Sequence, residues 1–239
     1  MASITPEARE KLKACSTATL TTLLFKRGLN RQFIHDVRPI GQYQTSMVGE
    51  AFTLRTIPAR EDLNPISVFR DPEHPQRKAV EVCPPGHVLI IDSRKDARAA
   101  SAGGILITRL MVRGVAGVVT DGGFRDTDEI RQMAIPAYQQ RPAVPTNLTL
   151  HQPIEMNVPI ACGDAPVFPG DIIVGDAEGV LVIPQEIAED VAHEAFEMTI
   201  FEDFVIEQVR AGASIVGLYP PTNPDTERQF QTWRAANGR

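Results

Sequence analysis

Two short apolar segments that flank one segment with helical spacing restrict the fold of this chain more than any other part of its sequence. The segments GHVLIIDS (86–93) and GVAGVVTDGG (114–123) are typical of buried strands that end in polar or glycine turns. Between them, residues 100–113 carry apolar side chains at helical spacing: Ile105, Leu106, Leu110 and Met111. A strand, a helix and a strand within about 35 residues form a βαβ unit with parallel strands. The sequence therefore predicts an α/β fold.

The N-terminal part, residues 1–46, is predicted to be a helical segment. Thr5-Pro6 has the pattern of a helix start, a hydroxyl cap followed by proline at the first helical position. Ser16 is a candidate cap for a second helix, which we expect to stop at Gly28.

The remaining chain is predicted to consist of a core over residues 47–184 and a C-terminal helix and tail over residues 185–239. The core begins with a strand at Met47–Pro58 and a surface excursion over residues 61–78. Later short β segments (IPAYQQ, VPIACGD, APVFPGDIIVGD and EGVLVIP) indicate hairpins. An amphipathic pattern from residue 185 to 211 predicts a long helix.

Composition excludes several classes of protein. The chain has 239 residues and a formal net charge of −6, so binding to nucleic acid through a basic surface is not expected. Its three cysteines, Cys15, Cys83 and Cys162, form no CxxC pair and predict no disulfide framework. No apolar stretch approaches the roughly 20 residues that cross a bilayer. We expect a soluble, cytoplasmic protein that binds neither nucleic acid nor membrane.

The best candidate for a functional site is VVTDGGFRDTDE, residues 118–129, just after a buried strand. Ligands of open α/β sheets bind at this edge, and Gly122 and Gly123 would let the backbone approach one or supply a positive φ. Arg125 offers a planar fork for a carboxylate, and Asp126 a hard oxygen ligand for Mg²⁺ or Mn²⁺. Together they would hold a 2-oxo acid by its carboxylate and its keto oxygen. The alternative is two ordinary charges on a surface turn.

A second candidate feature is the predicted helix start SAGGILITRL, residues 101–110. Backbone N–H groups at a helix N-terminus attract anions, and Gly103 and Gly104 would leave these groups unshielded. The alternative is that both glycines only allow close packing against the sheet.

The glycine-rich helix start, GVAGVVTDGGFRD and the later VFPGDIIVGDAEGVLVIP together resemble the RraA-like family. That family includes 4-hydroxy-4-methyl-2-oxoglutarate aldolases and proteins described as regulators of ribonuclease E. Its signature is an acid, twenty residues, then Arg-Asp, and Arg125 and Asp126 fall at the end of this pattern. The resemblance implies an RraA-like swivelling β/β/α sandwich, here with added N-terminal and C-terminal helices. It also implies a homotrimer or hexamer with active sites at subunit boundaries.

The resemblance further implies roles for single residues. Asp126 would bind Mg²⁺ or Mn²⁺, and Arg125 would bind the substrate carboxylate. A contiguous stretch would bind the substrate through backbone amides: Gly103, Gly104, Ile105 and Leu106. The sequence departs from the signature at Gly104, where aldolases of the family carry Asp or Glu. An acid that would hold metal-bound water or move a proton is therefore missing, and Asp121 or Asp96 could compensate.

The implied function is that of a divalent-metal-dependent lyase of the class II pyruvate aldolase type. It would act on a 4-hydroxy-2-oxo acid or a related 2-oxo acid and release pyruvate or a similar oxo acid. A metal ion would stabilise the enolate, as it would in oxaloacetate decarboxylation. Lys95 is the best Schiff-base candidate, but the metal route is favoured. The alternative is a non-catalytic regulator of ribonuclease E; a methyltransferase lacks support because no glycine-rich cofactor loop is present.

Overall fold

The computed structural model describes residues 4–239, which form seven α-helices and thirteen strands. The helices are α1 (Pro6–Ala14), α2 (Thr17–Lys26), α3 (Pro75–Val82), α4 (Gly104–Val112), α5 (Thr127–Ile130), α6 (Ala188–Arg210) and α7 (Pro224–Ala236). The strands are β1 (Phe33–Ile34), β2 (Arg38–Pro39), β3 (Met47–Pro58), β4 (Val88–Ile91), β5 (Ala100–Ala102), β6 (Gly117–Thr120), β7 (Gly123–Phe124), β8 (Ala137–Gln139), β9 (His151–Met156), β10 (Ile160–Cys162), β11 (Ala165–Val167), β12 (Ile172–Gly175) and β13 (Val180–Ile183).

The predicted βαβ unit is confirmed and lies at the centre of the main sheet. Strands β4 and β6 pair in parallel, with Val88 opposite Gly117, and β8 continues the parallel group beyond β6. Every residue of β4 and β6 is buried, as expected for strands covered on both faces. The order across the sheet is β1-β13-β12-β3-β4-β6-β8-β2, with β9 added to β3.

The long strand β3 joins the parallel group to an antiparallel one. Its first residues pair with β12, its middle with β4 and its last residues with β9. The predicted hairpins at β10–β11 and β12–β13 are confirmed as antiparallel pairs. The prediction for IPAYQQ is wrong, because β8 pairs in parallel with β6 and belongs to the βαβ half of the sheet.

Two further segments differ from the sequence-based predictions. The helix expected from residue 100 begins at Gly104, because Ala100–Ala102 forms β5 and pairs with β7. The N-terminal segment adds strands β1 and β2 to its two helices. The predicted surface excursion over residues 61–78 is mostly exposed, and it contains a short 3₁₀ helix (Ile66–Arg70) and the start of α3.

The added terminal helices have apolar cores of their own. Thr5 caps α1 and Ser16 caps α2, as predicted, and both helices pack on α6 through buried leucines such as Leu12 and Leu20. The C-terminal half of α6 packs on α7 through aromatic contacts of Phe204 with Phe230 and Trp233. Cys15, Cys83 and Cys162 are buried thiols without disulfides. Across residues 4–239 no helix is long and apolar enough to span a bilayer.

Candidate active site

A pocket of about 160 Å³ lies beside the first turn of α4 and the turn that follows β7. Gly103, Ile105 and Leu106 form one side of it, and Arg125 and Asp126 stand next to them. The resemblance to the RraA-like family implies that these five residues belong to one site. The structure brings them together because β5 and β7, which precede α4 and the turn, pair in parallel and end at the same edge.

Asp126 adopts a left-handed backbone conformation, with φ of +61°. Aspartate and asparagine tolerate this region better than most residues, and such a residue at a pocket is a sign of function. The conformation directs the carboxylate back to α4, where its Oδ2 accepts a hydrogen bond of 3.0 Å from Gly104 N–H. The same Oδ2 lies 3.5 Å from Arg125 Nε. The two side chains therefore lie side by side. The exposed fraction is 51% for the Arg125 side chain and 40% for the Asp126 side chain.

The two glycines at the start of α4 allow close packing, but against this turn rather than against the sheet. A Cβ on Gly103 would lie 2.7 Å from Asp126 Oδ2 and 2.8 Å from Arg125 Cγ. Gly122 and Gly123 likewise serve packing: neither has a positive φ, and added Cβ atoms would collide with Ser93 and with the chain near Arg141. The prediction that Gly122 and Gly123 approach a ligand is not supported, because protein atoms fill the space.

The space next to Gly104 is occupied by a carboxylate that the sequence analysis left without a role. A Cβ on Gly104 would lie 2.7 Å from Glu129 Oε2 and 3.4 Å from Asp126 Cβ. Glu129 is on α5, three residues after Asp126, so both side chains reach the start of α4 from the same short helix. The i, i+3 spacing of the two acids was the signal in the sequence that could have identified Glu129.

Neither acid proposed from sequence to compensate for Gly104 lies in the pocket. Asp121 is 2% exposed, and its carboxylate accepts N–H groups of Ser93 at 2.6 Å, Lys95 at 3.0 Å and Gly163 at 3.0 Å. Burial raises the pKa of Asp121. Asp121 thus connects its own turn to the loop at Ser93–Lys95 and to the turn at Gly163. Asp96 forms an ion pair with Arg98.

Lys95, the Schiff-base candidate, does not line the pocket. Its ammonium group forms an ion pair with the Asp164 carboxylate on the exposed surface. A Schiff-base lysine needs a neutral amine in a pocket, and the Asp164 hydrogen bond raises the pKa of Lys95. This geometry agrees with the preference for a metal route.

The rest of the pocket lining comes from segments for which the sequence predicts no functional role. Phe69, Gln76 and Arg77 contribute from the segment around α3, and Thr146 and Asn147 from the loop before β9. Arg77 lies over the Phe69 ring, 4.4 Å from guanidinium carbon to ring centroid, and burial lowers the pKa of Arg77. Segment 61–78 appeared to be a surface excursion because it is rich in Pro, Asp and Arg.

The residues at this site suit a divalent metal ion of the magnesium type. Within residues 4–239, no three His, Cys, Asp or Glu side chains are grouped to hold a metal on their own. Asp126 lines the pocket and offers a hard oxygen donor, and Glu129 Oε2, next to Gly104, offers a second oxygen to the ion or to its bound water. Mg²⁺ is commonly bound by one or two carboxylates together with water and substrate oxygens. The donor set therefore fits the ion that the resemblance implies.

Comparison with known proteins identifies the family. The model described as RraA-like, Aldolase/RraA, matches residues 17–182. The chain belongs to the RraA-like family. The resemblance read from the sequence is confirmed, and the matched range includes the α4 start, Arg125, Asp126 and Glu129.

Some proteins similar to this chain are named as aldolases, and others are named as RraA-type inhibitors of a ribonuclease. A Halalkalibacterium halodurans protein named "Putative 4-hydroxy-4-methyl-2-oxoglutarate aldolase" is 36% identical over 49% of this chain and 56% of its own length. The Thermus thermophilus 4-hydroxy-4-methyl-2-oxoglutarate aldolase is 33% identical over 46% of this chain and 66% of its own. This chain thus spans about half to two thirds of these relatives. Streptomyces coelicolor RraAS2, from the RNase ES inhibitor RraA family, is 25% identical with a TM-score of 0.74, covering 85% of this chain and 98% of that one.

Proposed function

We propose that this protein is a lyase dependent on Mg²⁺ or Mn²⁺ that cleaves a 4-hydroxy-2-oxo acid and releases pyruvate or a similar oxo acid. The observation that carries the proposal is the convergence of Arg125 and Asp126, 3.5 Å apart, beside the start of α4 at a pocket. The aldolase names of two relatives support the same reaction class. Oxaloacetate decarboxylation is expected as a second activity because it yields the same product.

Each side chain has a separate task in this proposal. Arg125 binds the substrate carboxylate through its guanidinium fork, and the first turn of α4, Gly103–Leu106, orients the same end. The backbone amides of Gly103 and Ile105 serve this purpose, because the N–H groups of Gly104 and Leu106 already donate within the protein. Asp126 would hold the metal ion, which would supply Lewis-acid chemistry for the 2-oxo group of the substrate. Gly104 N–H fixes the Asp126 carboxylate, and Glu129 stands beside it to hold water or move a proton.

We also propose that the protein works as a homotrimer or hexamer with the pocket near a subunit boundary. Ile105, which lines the pocket, is 85% exposed, and Ile66 and Val144, three and two residues before the lining residues Phe69 and Thr146, are also exposed. Large apolar side chains that share one exposed region are typical of interfaces. A neighbouring subunit would cover them and reduce the contact of the site with water.

The reaction is tested by pyruvate release from a panel of 4-hydroxy-2-oxo acids and oxaloacetate, with Mg²⁺ and with EDTA. We expect turnover with Mg²⁺ and its loss in EDTA, restored by added metal. Absence of pyruvate release from every compound of the panel would contradict the proposed lyase activity. Silence combined with measurable binding to ribonuclease E would instead support a non-catalytic regulator, which the likeness to RraAS2 keeps as the second candidate.

Glu129 is expected to strengthen metal binding without contacting the substrate. Replacing Glu129 by glutamine removes the charge next to Asp126, and we expect Mn²⁺ affinity to fall about tenfold, as for outer groups around metal ligands. Isothermal titration with Mn²⁺ measures this directly. The matched control is Asp128→Asn, since Asp128 lies on the same helix but pairs with Arg131. Equal Mn²⁺ affinity in wild type and Glu129→Gln would remove Glu129 from the site.

A further inference from the structure

Gln76 contributes an unused hydrogen-bond acceptor to the lining of the candidate pocket. Its side chain is 3% exposed, and its Nε2 donates to Ser101 O at 2.6 Å. Because a backbone carbonyl can only accept, this bond fixes which end of the amide is the oxygen. That oxygen, Oε1, is buried and has no hydrogen-bond partner within residues 4–239. Buried polar groups in native proteins are nearly always hydrogen-bonded, so Gln76 Oε1 points to a ligand that carries a donor.

Asn147 adds an unused donor to the same lining. Its side chain is 5% exposed, its Oδ1 accepts from Thr146 Oγ1 at 3.3 Å, and its Nδ2 has no partner in the described part of the chain. Gln76 belongs to α3 and Asn147 to the loop before β9, so two separate segments each bring one unsatisfied polar atom to this pocket. Leaving buried polar groups unpaired is unfavourable, which favours a ligand that satisfies both.

A free acceptor and a free donor together restrict the chemical group that can bind to them. A hydroxyl donates through its O–H and accepts through its lone pairs, so it satisfies Gln76 Oε1 and Asn147 Nδ2 at once. A carbonyl oxygen can only accept: it pairs with Asn147 Nδ2, but it leaves Gln76 Oε1 without a donor. The two amides therefore distinguish a hydroxyl from a carbonyl on the same carbon atom.

We propose that Gln76 and Asn147 bind the oxygen on the carbon where the substrate is cleaved, and that Gln76 makes the pocket bind the hydroxyl of the substrate more tightly than the carbonyl of the product. This inference rests on the proposed function for the reaction itself. In cleavage the hydroxyl proton passes to water, the oxygen forms a double bond to C4, and the electron pair of the C3–C4 bond moves to C3, which takes up a proton in turn.

The change from hydroxyl to carbonyl removes the only hydrogen that could be donated to Gln76 Oε1. The C4 product is therefore bound less tightly than the substrate, which favours its release over the reverse condensation. An amide oxygen is too weak a base to take the hydroxyl proton, so Gln76 is a positioning residue.

Binding of three acids that are not cleaved tests this subsite without the lyase reaction. 4-Hydroxypentanoate, 4-oxopentanoate and pentanoate have the same carboxylate and chain length and differ only at C4. In isothermal titration with Mg²⁺ present, wild type should bind 4-hydroxypentanoate about tenfold more tightly than each of the other two, the range for one or two hydrogen bonds. Equal binding of all three acids by wild type would mean that water satisfies the two amides, and would overturn the proposal.

The two variants are expected to change this order in different ways. Gln76→Met removes the acceptor, so the hydroxyl should lose its advantage, and 4-hydroxypentanoate and 4-oxopentanoate should bind within about twofold of each other. Asn147→Leu removes the donor, so both should bind about threefold to tenfold less tightly. The control is Gln32→Met, which replaces another buried glutamine, outside the pocket, and should keep the wild-type order. An equal fall for all three acids in Gln76→Met would make Gln76 a structural residue and overturn the proposal.

Turnover separates the positioning role from the reaction. Gln76→Met should lower kcat/KM for pyruvate release from 4-hydroxy-2-oxopentanoate about tenfold. Decarboxylation of oxaloacetate, which has no hydroxyl at C4, should change less than about threefold. An equal loss in the two reactions would contradict the proposal. A hydroxyl preference that Gln76→Met abolishes, with no pyruvate release by any of the proteins, would keep the subsite and reject the lyase.

Discussion

Replacing Asp126 by alanine is expected to abolish metal-dependent turnover while the fold remains intact. Asp126 is the carboxylate at the pocket wall, held by Gly104 N–H at 3.0 Å, and no group of three other potential ligands is available among residues 4–239. Metal ions commonly contribute several kcal/mol of transition-state stabilisation, so we expect kcat/KM to fall by about 10³-fold or more. Pyruvate release at saturating Mg²⁺ measures the loss of turnover. Isothermal titration with Mn²⁺ measures the loss of metal binding.

Asp126→Asn separates the charge of this residue from its backbone conformation. Asparagine tolerates the left-handed region and keeps an oxygen for Gly104 N–H, whereas alanine at φ of +61° adds about 1 kcal/mol of strain. Both variants should lose Mn²⁺ binding, but Asp126→Asn should keep the wild-type melting temperature. Wild-type activity of either variant at saturating Mg²⁺ would show that Asp126 is not the metal ligand.

Arg125→Lys is expected to raise KM for the oxo acid about tenfold to hundredfold, with a smaller effect on Mn²⁺ affinity. A lysine keeps the positive charge but replaces a bidentate fork by a single point of contact. Steady-state kinetics with oxaloacetate gives KM and kcat separately, and a rise in KM alone indicates lost binding.

The matched control for Arg125→Lys is Arg131→Lys. Arg131 directly follows α5 and pairs with Asp128 on the surface. Its replacement by lysine is therefore the same arginine-to-lysine change at a residue outside the candidate site. We expect KM to be unchanged in Arg131→Lys. An unchanged KM in Arg125→Lys as well would place the carboxylate site elsewhere, and Arg77 would then be the first alternative.

The central part of the fold was predictable because its signals are local. The apolar runs at β4 and β6 and the helical spacing of α4 depend only on neighbouring residues, and the parallel pairing follows from the helical crossover between the two strands. Caps at Thr5 and Ser16 are equally local, since each satisfies an N–H three residues ahead. The parallel pairing of β8 was missed because a short strand carries no information about which neighbour it joins.

The candidate site was predictable in part for the same reason. Arg125 and Asp126 are adjacent in sequence and follow a strand, so a pattern of residues suffices to propose them. The family signature assigned no role to Glu129. The structure places its carboxylate 2.7 Å from the position that a Cβ on Gly104 would take. Asp121 had the right charge and position in sequence, but three backbone N–H groups hold it elsewhere.

The sequence by itself determined the βαβ core, the family and the near end of the candidate pocket, since each is written in short, contiguous patterns. Only the tertiary structure decided which other residues line the pocket. Arg77 and Asn147 are 70 positions apart in the chain, and neither belongs to a recognisable motif. Packing of α3 and of the loop before β9 around the α4 start brings them to one pocket, and such long-range packing leaves no local trace in the sequence.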